Sequence, residues 1–288
     1  MQEEGQRIKL PFLPTSITSV GEKIFVSDEH TVYELTGEKV SPLWKARGNN
    51  EVLRIYPYGD DLIVLARIMD GFQTFLIHGS EIKVRWNRAV IPLGSGLVSS
   101  KLTFDRVFSP LSYQWSSAAQ ETGASPQIPD GFDVICTITA DISPSAGGPE
   151  VISYDASDRL TISNGKSTLW SDIDGTTITP LHVDEGRSSR VGIEGDLPAR
   201  YYVRPRIASA GGRLVTFRNG QGLAGMVSRL NMFENTQILV YTRTGEEFSR
   251  TVLAEYPGSY CMDIAVTQGR AAALIVHGKS AYVQFIGL

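Results

Sequence analysis

The stretch GDDLIVLARIMDGFQTFLIHG (59–79) contains two apolar, strand-like runs joined by a polar turn near Met69 to Gly71. The same plan recurs in KIFVSDEHTVYELTG (23–37), PEVISYDASDRLTISNG (149–165) and GRAAALIVHGKSAYVQFIG (269–287). The runs are rich in β-branched and aromatic residues and are bounded by Gly, Asn and Asp, which predicts β-hairpins. Because helical periodicity is nearly absent, we expect an all-β chain.

Large aromatic residues recur after the hairpins at a regular interval. Trp44 and Trp86 are 42 positions apart, and Trp86 and Trp170 are 84 apart, which is twice that interval. A period of about 40 to 45 residues with four short strands is typical of a β-propeller blade. One four-stranded sheet cannot cover both of its faces, whereas copies stacked around an axis can. We expect the recurring aromatics to fill the gaps between blades.

Six such units can be counted, and residues 1–288 are expected to form one domain. A seventh blade is left open within the polar insertion at about 173–199. The last unit ends at QFIGL (284–288), one strand short, and the β-like stretch QRIKLPF (6–12) precedes the first unit. Pairing of that N-terminal strand with the last blade would close the ring and remove exposed edges. The approximate units are 12–46, 47–87, 88–130, 131–172, 200–251 and 256–288.

Composition argues against several classes of protein. The chain has 27 basic and 31 acidic residues, a net charge of −4, so nucleic acid is not an expected partner. No run approaches the roughly 18 apolar residues of a membrane span, and no signal peptide is visible at the start. Cys136 and Cys261 lie in apolar runs, and we expect both to be buried thiols. A disulfide between them is the alternative.

The stretch ADISPSAGGPEVISYD (140–155) resembles the repeat of bacterial FG-GAP/VCBS-type propellers, the integrin-α-like family. In that family an aspartate-rich loop of the type D-x-D-G-D-G precedes Pro-Glu and two apolar residues. Here Asp141, Ser143 and Ser145 take the alternating loop positions, followed by Pro149 to Ile152. The resemblance implies a propeller in the bacterial cell envelope, periplasmic or at the cell surface, with the cytoplasm left open.

The equivalent turns in the other units depart from this family. They are plain glycine turns with too few acids for calcium, which needs about six to eight oxygen ligands. We therefore expect no metal and no cofactor. The turns are SVGEK (19–23), YGDD (58–61), LGSG (93–96), SAGG (209–212) and TQGR (267–270).

Two loop segments carry residue types that anchor interfaces. The apolar insertion 220–235 is either a partner surface or a cap on the central channel. The arginines and tyrosines between Arg187 and Arg206 either anchor a partner, such as an anionic sugar, or bridge blades through carboxylates. With one turn on the same face, the predicted partner-binding residues are Leu223, Met226, Leu230, Met232, Phe233, Arg187, Arg190, Arg200, Arg204, Tyr201, Tyr202, Asp70 and Phe72.

These observations favour a non-enzymatic binding or scaffolding propeller, monomeric, that contacts a protein or a glycan. The alternative is a propeller hydrolase with its site at the mouth of the central channel, which needs reactive groups pointing inward from different blades. The innermost strands offer mainly Asp263 and a few arginines. Asp155 and Asp158, at a hairpin tip, are interpreted as solvated turn formers rather than an acid–base pair.

Overall fold

The computed structural model describes residues 6–68, 71–101, 111–125, 128–129, 132–142, 148–155, 157–165, 167–175, 179–184, 200–221, 233–245 and 247–288. These residues form six four-stranded antiparallel sheets and one two-stranded sheet. The four-stranded sheets are the blades of a ring, so the prediction of an all-β, six-bladed propeller is confirmed. Within the described residues, no helix has the length and apolarity needed to span a membrane.

The strands follow the chain in blade order, except that the first strand, β1 (Arg7–Leu10), belongs to the last blade. Blade 1 contains β2 (Ser16–Val20), β3 (Lys23–Ser27), β4 (Thr31–Thr36) and β5 (Lys39–Lys45). Blade 2 contains β6 (Glu51–Tyr58), β7 (Asp61–Ile68), β8 (Gly71–His78) and β9 (Glu81–Trp86). Blade 3 contains β10 (Val90–Leu93), β11 (Gly96–Ser100), β12 (Ser112–Trp115) and β13 (Glu121–Ala124).

Blade 4 follows a short 3₁₀ turn at Val134–Cys136 and contains β14 (Ile138–Ala140), β15 (Glu150–Tyr154), β16 (Arg159–Ser163) and β17 (Thr168–Gly175). The separate two-stranded sheet, β18 (His182–Asp184) and β19 (Arg200–Tyr202), comes next. Blade 5 contains β20 (Ala208–Ala210), β21 (Arg213–Gln221), β22 (Phe233–Thr244) and β23 (Glu247–Pro257). Blade 6 contains β24 (Tyr260–Thr267), β25 (Arg270–His277) and β26 (Ser280–Gly287), completed by β1.

The N-terminal strand closes the ring as predicted. Strand β1 pairs antiparallel with β26, so that Ile8 lies opposite Val283 and Leu10 opposite Ala281. Ile8 and Leu10 are both buried, at 4% and 3% exposed, in the core shared by blades 6 and 1. Strands β1 and β26 are thereby held in one sheet, and the edge of β26 is covered.

The recurring aromatics pack between neighbouring blades. Trp44 of β5 lies 5.2 Å from Phe75 of β8, measured between ring centroids. Trp170 of β17 lies 5.8 Å from Tyr241 and 5.3 Å from Phe248, both in blade 5. Such tilted and edge-on aromatic pairs add to the burial that holds the blades together.

Both cysteines are buried and unpaired, which confirms the prediction of buried thiols. In the described part of the polar insertion at 173–199, the chain first completes β17 and then enters the two-stranded sheet β18–β19 rather than a seventh blade. Most of the apolar insertion 220–235 lies outside the described residues, which resume at Phe233.

Candidate active site

One face of the ring carries the turns between the second and third strands of each blade, together with the connections between blades. We call it the mouth face. The first strand of each blade begins at this face, and around the axis β2 contacts β6 and β24, while β10 contacts β6 and β14. Polar side chains near the starts of these strands therefore meet at the axis.

The two-stranded sheet β18–β19 lies across this mouth. Arg67, at the mouth end of β7, donates a hydrogen bond of 2.9 Å to the carbonyl oxygen of His182. Leu181, next to it, packs against the core of blades 6 and 1 and also against the large core of blades 2 to 5. In the described residues, the cap on the channel thus comes from the polar insertion.

Asp263 of β24 joins several segments of the ring at the axis. Its carboxylate accepts hydrogen bonds from Arg206 Nε and Nη2, both at 2.8 Å, and from Ser16 Oγ at 2.6 Å. Arg206 also donates to the carbonyl oxygen of Ile55 at 2.7 Å. Burial by itself would raise the pKa of Asp263, but the charges of Arg206 and Arg54 and these hydrogen bonds outweigh it and hold that pKa below its usual value. We call Asp263, Arg206 and Ser16 the lock, because their hydrogen bonds join different blades.

Arg54 is buried beside the lock, with 1% of its surface exposed. Its Nη1 donates to Cys136 Sγ at 3.3 Å and its Nη2 to the carbonyl oxygen of Arg204 at 2.8 Å. The Cys136 thiol in turn donates to the same carbonyl at 3.4 Å. Burial, together with the nearby Asp133, raises the pKa of Cys136 to about 12 against the opposing charge of Arg54. Cys136 is therefore a neutral thiol and not an activated nucleophile.

A second cluster lies closer to solvent, where Arg204 joins two carboxylates; we call it the rim cluster (Arg204, Asp133, Asp158 and Tyr201). Arg204 donates from Nη1 to Asp133 Oδ2 at 3.2 Å and from Nε to Asp158 Oδ1 at 2.6 Å. The hydroxyl of Tyr201 also donates to Asp133 Oδ2. The exposed fraction rises from 1% for Asp133 through 19% for Arg204 to 44% for Asp158.

Local structure holds both carboxylates of the rim cluster in place. Asp133 precedes the 3₁₀ turn and caps it, because its Oδ1 accepts from the N–H of Ile135 at 2.9 Å. Asp158 lies in the β15–β16 turn with a φ of 61°, in the left-handed region that favours glycine. Asp155 accepts from the N–H groups of Ser157 and Arg159 and stabilises that turn. Asp158 is thus a partly exposed carboxylate at a fixed position.

The rim cluster places a hydrogen-bond donor beside an acceptor that solvent reaches. Asp158 is an acceptor that solvent reaches, and it has a guanidinium group in direct contact. Within the described residues, Nη2 of Arg204 donates to no protein acceptor, while Nε and Nη1 are both engaged. A substrate oxygen can therefore receive a hydrogen bond from Arg204 next to a carboxylate able to take a proton.

The structure brings two of the predicted partner-binding residues together. Arg204 and Tyr201 both belong to the rim cluster, and Arg204 bridges segments through carboxylates, which was the alternative interpretation of these arginines. The ring of Tyr202 lies 5.6 Å from that of His182 in the cap. Phe233 is partly buried and lies 5.4 Å from Tyr260.

One predicted partner-binding residue is corrected. Phe72 is only 3% exposed and packs in the largest core cluster, so it offers no surface to a partner. It belongs to strand β8, paired with Arg67 of β7, rather than to the exposed turn, and its side chain packs into that core. Outside the described residues or side chains lie Leu223, Met226, Leu230, Met232, Arg187, Arg190, Arg200 and Asp70.

Sequence reasoning missed the rim carboxylates as a functional group. The sequence indicates only a turn former at Asp158 and no motif at Asp133. Folding brings them to Arg204, which is 46 and 71 positions away. Among the described residues, no group of three or more His, Cys, Asp or Glu side chains converges as it would around a metal ion. In the loop that resembles a calcium site, residues 143–147 lie outside the described residues.

Comparison with solved structures shows the same fold in proteins of very different sequence. The PQQ-bound aldose sugar dehydrogenase of Streptomyces coelicolor is 11% identical, with a TM-score of 0.51 and 98% of each chain covered. A putative oxidoreductase (glucose dehydrogenase) of Thermus thermophilus is also 11% identical, with a TM-score of 0.52, 98% of this chain and 100% of that chain covered. A chain of the mitotic checkpoint complex is 10% identical, with a TM-score of 0.55, 100% of this chain and 95% of that chain covered. No family model and no curated protein matches the sequence.

The prediction of a non-enzymatic binding or scaffolding propeller is wrong. The solved structures that share the fold over nearly the whole chain include sugar dehydrogenases, which are enzymes. The prediction rested on a lack of convergent reactive groups, yet Asp133, Asp158 and Arg204 converge at the mouth. They come from segments that are distant in sequence, which is why the pattern of the strands did not reveal them.

The described residues at the mouth do not fit PQQ, a tricarboxylate quinone. Its carboxylates would need unpaired cations, but the charge of Arg206 is already paired with that of the buried Asp263. Both Nη atoms of Arg54 are also engaged. Arg204 has one nitrogen without an acceptor among the described residues, and it lies beside two carboxylates that would repel an anion. We assign no step to this cofactor.

Proposed function

We propose that this chain is a propeller enzyme of the oxidoreductase class, which oxidises a hydroxyl group of a small, sugar-like substrate at the rim cluster. The observation that carries the proposal is the Asp158 carboxylate, which is 44% exposed at the mouth and held 2.6 Å from Arg204. The shared fold of the glucose and aldose sugar dehydrogenases supports the reaction class.

The residues of the rim cluster have distinct roles in this proposal. Oxidation of an alcohol to a carbonyl removes a proton from oxygen and a hydride from carbon. Asp158 accepts the proton, and the free Nη2 of Arg204 donates a hydrogen bond to the same oxygen. The hydride would be taken by a diffusible acceptor of the nicotinamide class or by a soluble quinone other than PQQ. Tyr201 and Asp133 hold Arg204 in position.

The test is a dye-linked assay with a panel of aldoses, run with and without PQQ and with nicotinamide dinucleotide. In the variant Asp158→Asn, kcat should fall by about 10²- to 10⁴-fold, since an amide cannot take the proton. The matched control is Asp61→Asn. Asp61 also pairs with a cation, Lys83 at 3.0 Å, but lies on the opposite face of the ring, so its variant should keep full activity.

Two outcomes contradict the proposal. If protein that is shown to be folded reduces no dye with any aldose or acceptor, the proposed oxidation is wrong. Suppose that the protein reduces no dye but hydrolyses lactones or nitrophenyl glycosides, and that Asp158→Asn abolishes this hydrolysis. The rim cluster then catalyses hydrolysis and not oxidation.

We also propose a family, a cellular compartment and a protein partner for this chain. Membership of the FG-GAP/VCBS-type family is supported by residues 140–155, and a place in the bacterial cell envelope follows from that family. Contact with a protein partner is supported by the apolar composition of 220–235. Such a partner would act together with the enzyme, since other propellers of this fold occur in protein complexes.

A further inference from the structure

A row of neutral amide side chains crosses the mouth face from blade 1 to the start of blade 3. Asn50, in the connection to blade 2, donates from Nδ2 to Gln73 Oε1 at 3.1 Å. Gln73, on β8, donates from Nε2 to Asn87 Oδ1 at 3.0 Å, and Asn87 lies in the connection to blade 3. His30 joins the start of the row, with its Nδ1 3.1 Å from the carbonyl oxygen of Asn50. We call Asn50, Gln73 and Asn87 the amide row.

The row has a direction, and this leaves a different group free at each end. Because each amide donates to the next, Asn50 Oδ1 remains as an acceptor and Asn87 Nδ2 as a donor, with no protein partner for either in the described residues. Asn87 is exposed, and Asn50 and Gln73 are half-buried, so solvent reaches the row. A ligand that both donates and accepts hydrogen bonds would match these two ends.

The chemistry of the row favours carbohydrate. A hydroxyl group is both a donor and an acceptor, and neighbouring hydroxyls on a sugar ring repeat that pattern. The hydrogen bonds within the row fix the planes of the amides before binding, which lowers the entropic cost of ordering them. The row itself contains no charged side chain to select an anion, and an extended peptide would also need pockets for its side chains.

We infer that the amide row is a binding site for the hydroxyl groups of a neutral oligosaccharide. The site is separate from the rim cluster and does not depend on the oxidation proposed above. It would hold a longer glycan on the mouth face, beside the channel.

The experiment is a titration of the full chain with maltotetraose, cellotetraose and chitotetraose, followed by calorimetry and by saturation-transfer NMR. At least one of these should bind, and Gln73→Ala and Asn87→Ala should each weaken that binding by about three- to tenfold. Gln120→Ala is the matched control, because Gln120 is an exposed amide in the β12–β13 turn on the opposite face. The control should bind like the wild type, and thermal unfolding confirms that each variant is folded.

Lack of binding to all three oligosaccharides, or equal binding by the wild type and Gln73→Ala, overturns the inference. If the protein binds unstructured peptides but no glycan, and Gln73→Ala abolishes the peptide binding, the amide row is a peptide site instead. The two proposals fail separately. Asp158→Asn should lose dye reduction but keep oligosaccharide binding, whereas Gln73→Ala should bind the oligosaccharide about three- to tenfold more weakly and keep the oxidation of aldoses.

Discussion

Asp263 shows how one buried carboxylate can hold a ring together. It receives hydrogen bonds from Arg206, Ser16 and the N–H of Ile17, at distances of 2.6 to 3.0 Å. Breaking a buried ion pair by removing one partner typically costs about 3 to 5 kcal/mol, because the remaining charge stays buried and unpaired. The lock is therefore sensitive both to substitution and to protonation.

We expect Asp263→Asn to lower the free energy of unfolding at neutral pH by about 3 to 5 kcal/mol. Because the pKa of Asp263 is lowered in the folded state, its stabilisation is present above the unfolded pKa of about 4 and is lost as pH falls through the folded value. The difference between variant and wild type should thus shrink below about pH 4. Urea unfolding from pH 2 to 7 measures it, with the exposed Asp60→Asn as control. A difference that is constant with pH contradicts the assignment.

The thiols provide a second test at the level of single residues. Burial raises the pKa of Cys136 to about 12, and burial also raises that of Cys261 well above its usual value. Since the thiolate is the reactive form, neither should react with an aromatic disulfide reagent at pH 8 in the native protein. Both of the 2 cysteines should react once urea unfolds the chain. Rapid labelling of Cys136 in the native state would show that the Arg54–Cys136 contact ionises the thiol.

Strand β1 is the element whose contribution can be isolated best. It is short, but it supplies two buried side chains and covers the edge of β26. Burying a Leu or Ile side chain is worth about 1.5 to 3 kcal/mol. The ring therefore depends on a segment from the opposite end of the chain.

Removal of residues 1–10 should destabilise the protein by roughly 3 to 6 kcal/mol, from the loss of Ile8 and Leu10 alone, and should promote aggregation through the open edge of β26. Chemical unfolding and light scattering measure the two effects. Ile8→Ala should reproduce part of the loss, whereas Lys9→Ala should not, because Lys9 is exposed. An unchanged stability of the truncated chain would show that β1 is not part of the closure.

For the molecule as a whole, the mouth face combines parts from almost every blade. The lock uses Ser16, Arg206 and Asp263. The rim cluster adds Asp133 and Asp158 from blade 4 and its approach. The amide row lies on blade 2 and on the connections before and after it. Substitutions in the lock should change stability, whereas those in the rim cluster and amide row should change activity and binding. A closed ring makes this separation possible, because its loops converge on a rigid scaffold.

The sequence by itself determined the architecture, since the determining signals are local. Strand periodicity, glycine turns and the spacing of Trp44, Trp86 and Trp170 act within one hairpin or between adjacent blades. The short last unit and the extra first strand were also visible, so ring closure was predicted correctly. The sequence also shows a charged residue within an apolar inner strand, Asp263, but it does not show the partners of that residue.

Only the tertiary structure decided the chemistry at the mouth. Ser16 and Asp263 are 247 positions apart, and Asp133 and Arg204 are 71 apart, so no spacing in the sequence couples them. Likewise, the described residues 179–184 of the polar insertion lie over the channel because Leu181 packs against two cores and His182 accepts a hydrogen bond from Arg67. The physical reason is that hydrophobic periodicity specifies which residues are buried, whereas the polar partners of a buried charge depend on how the ring closes.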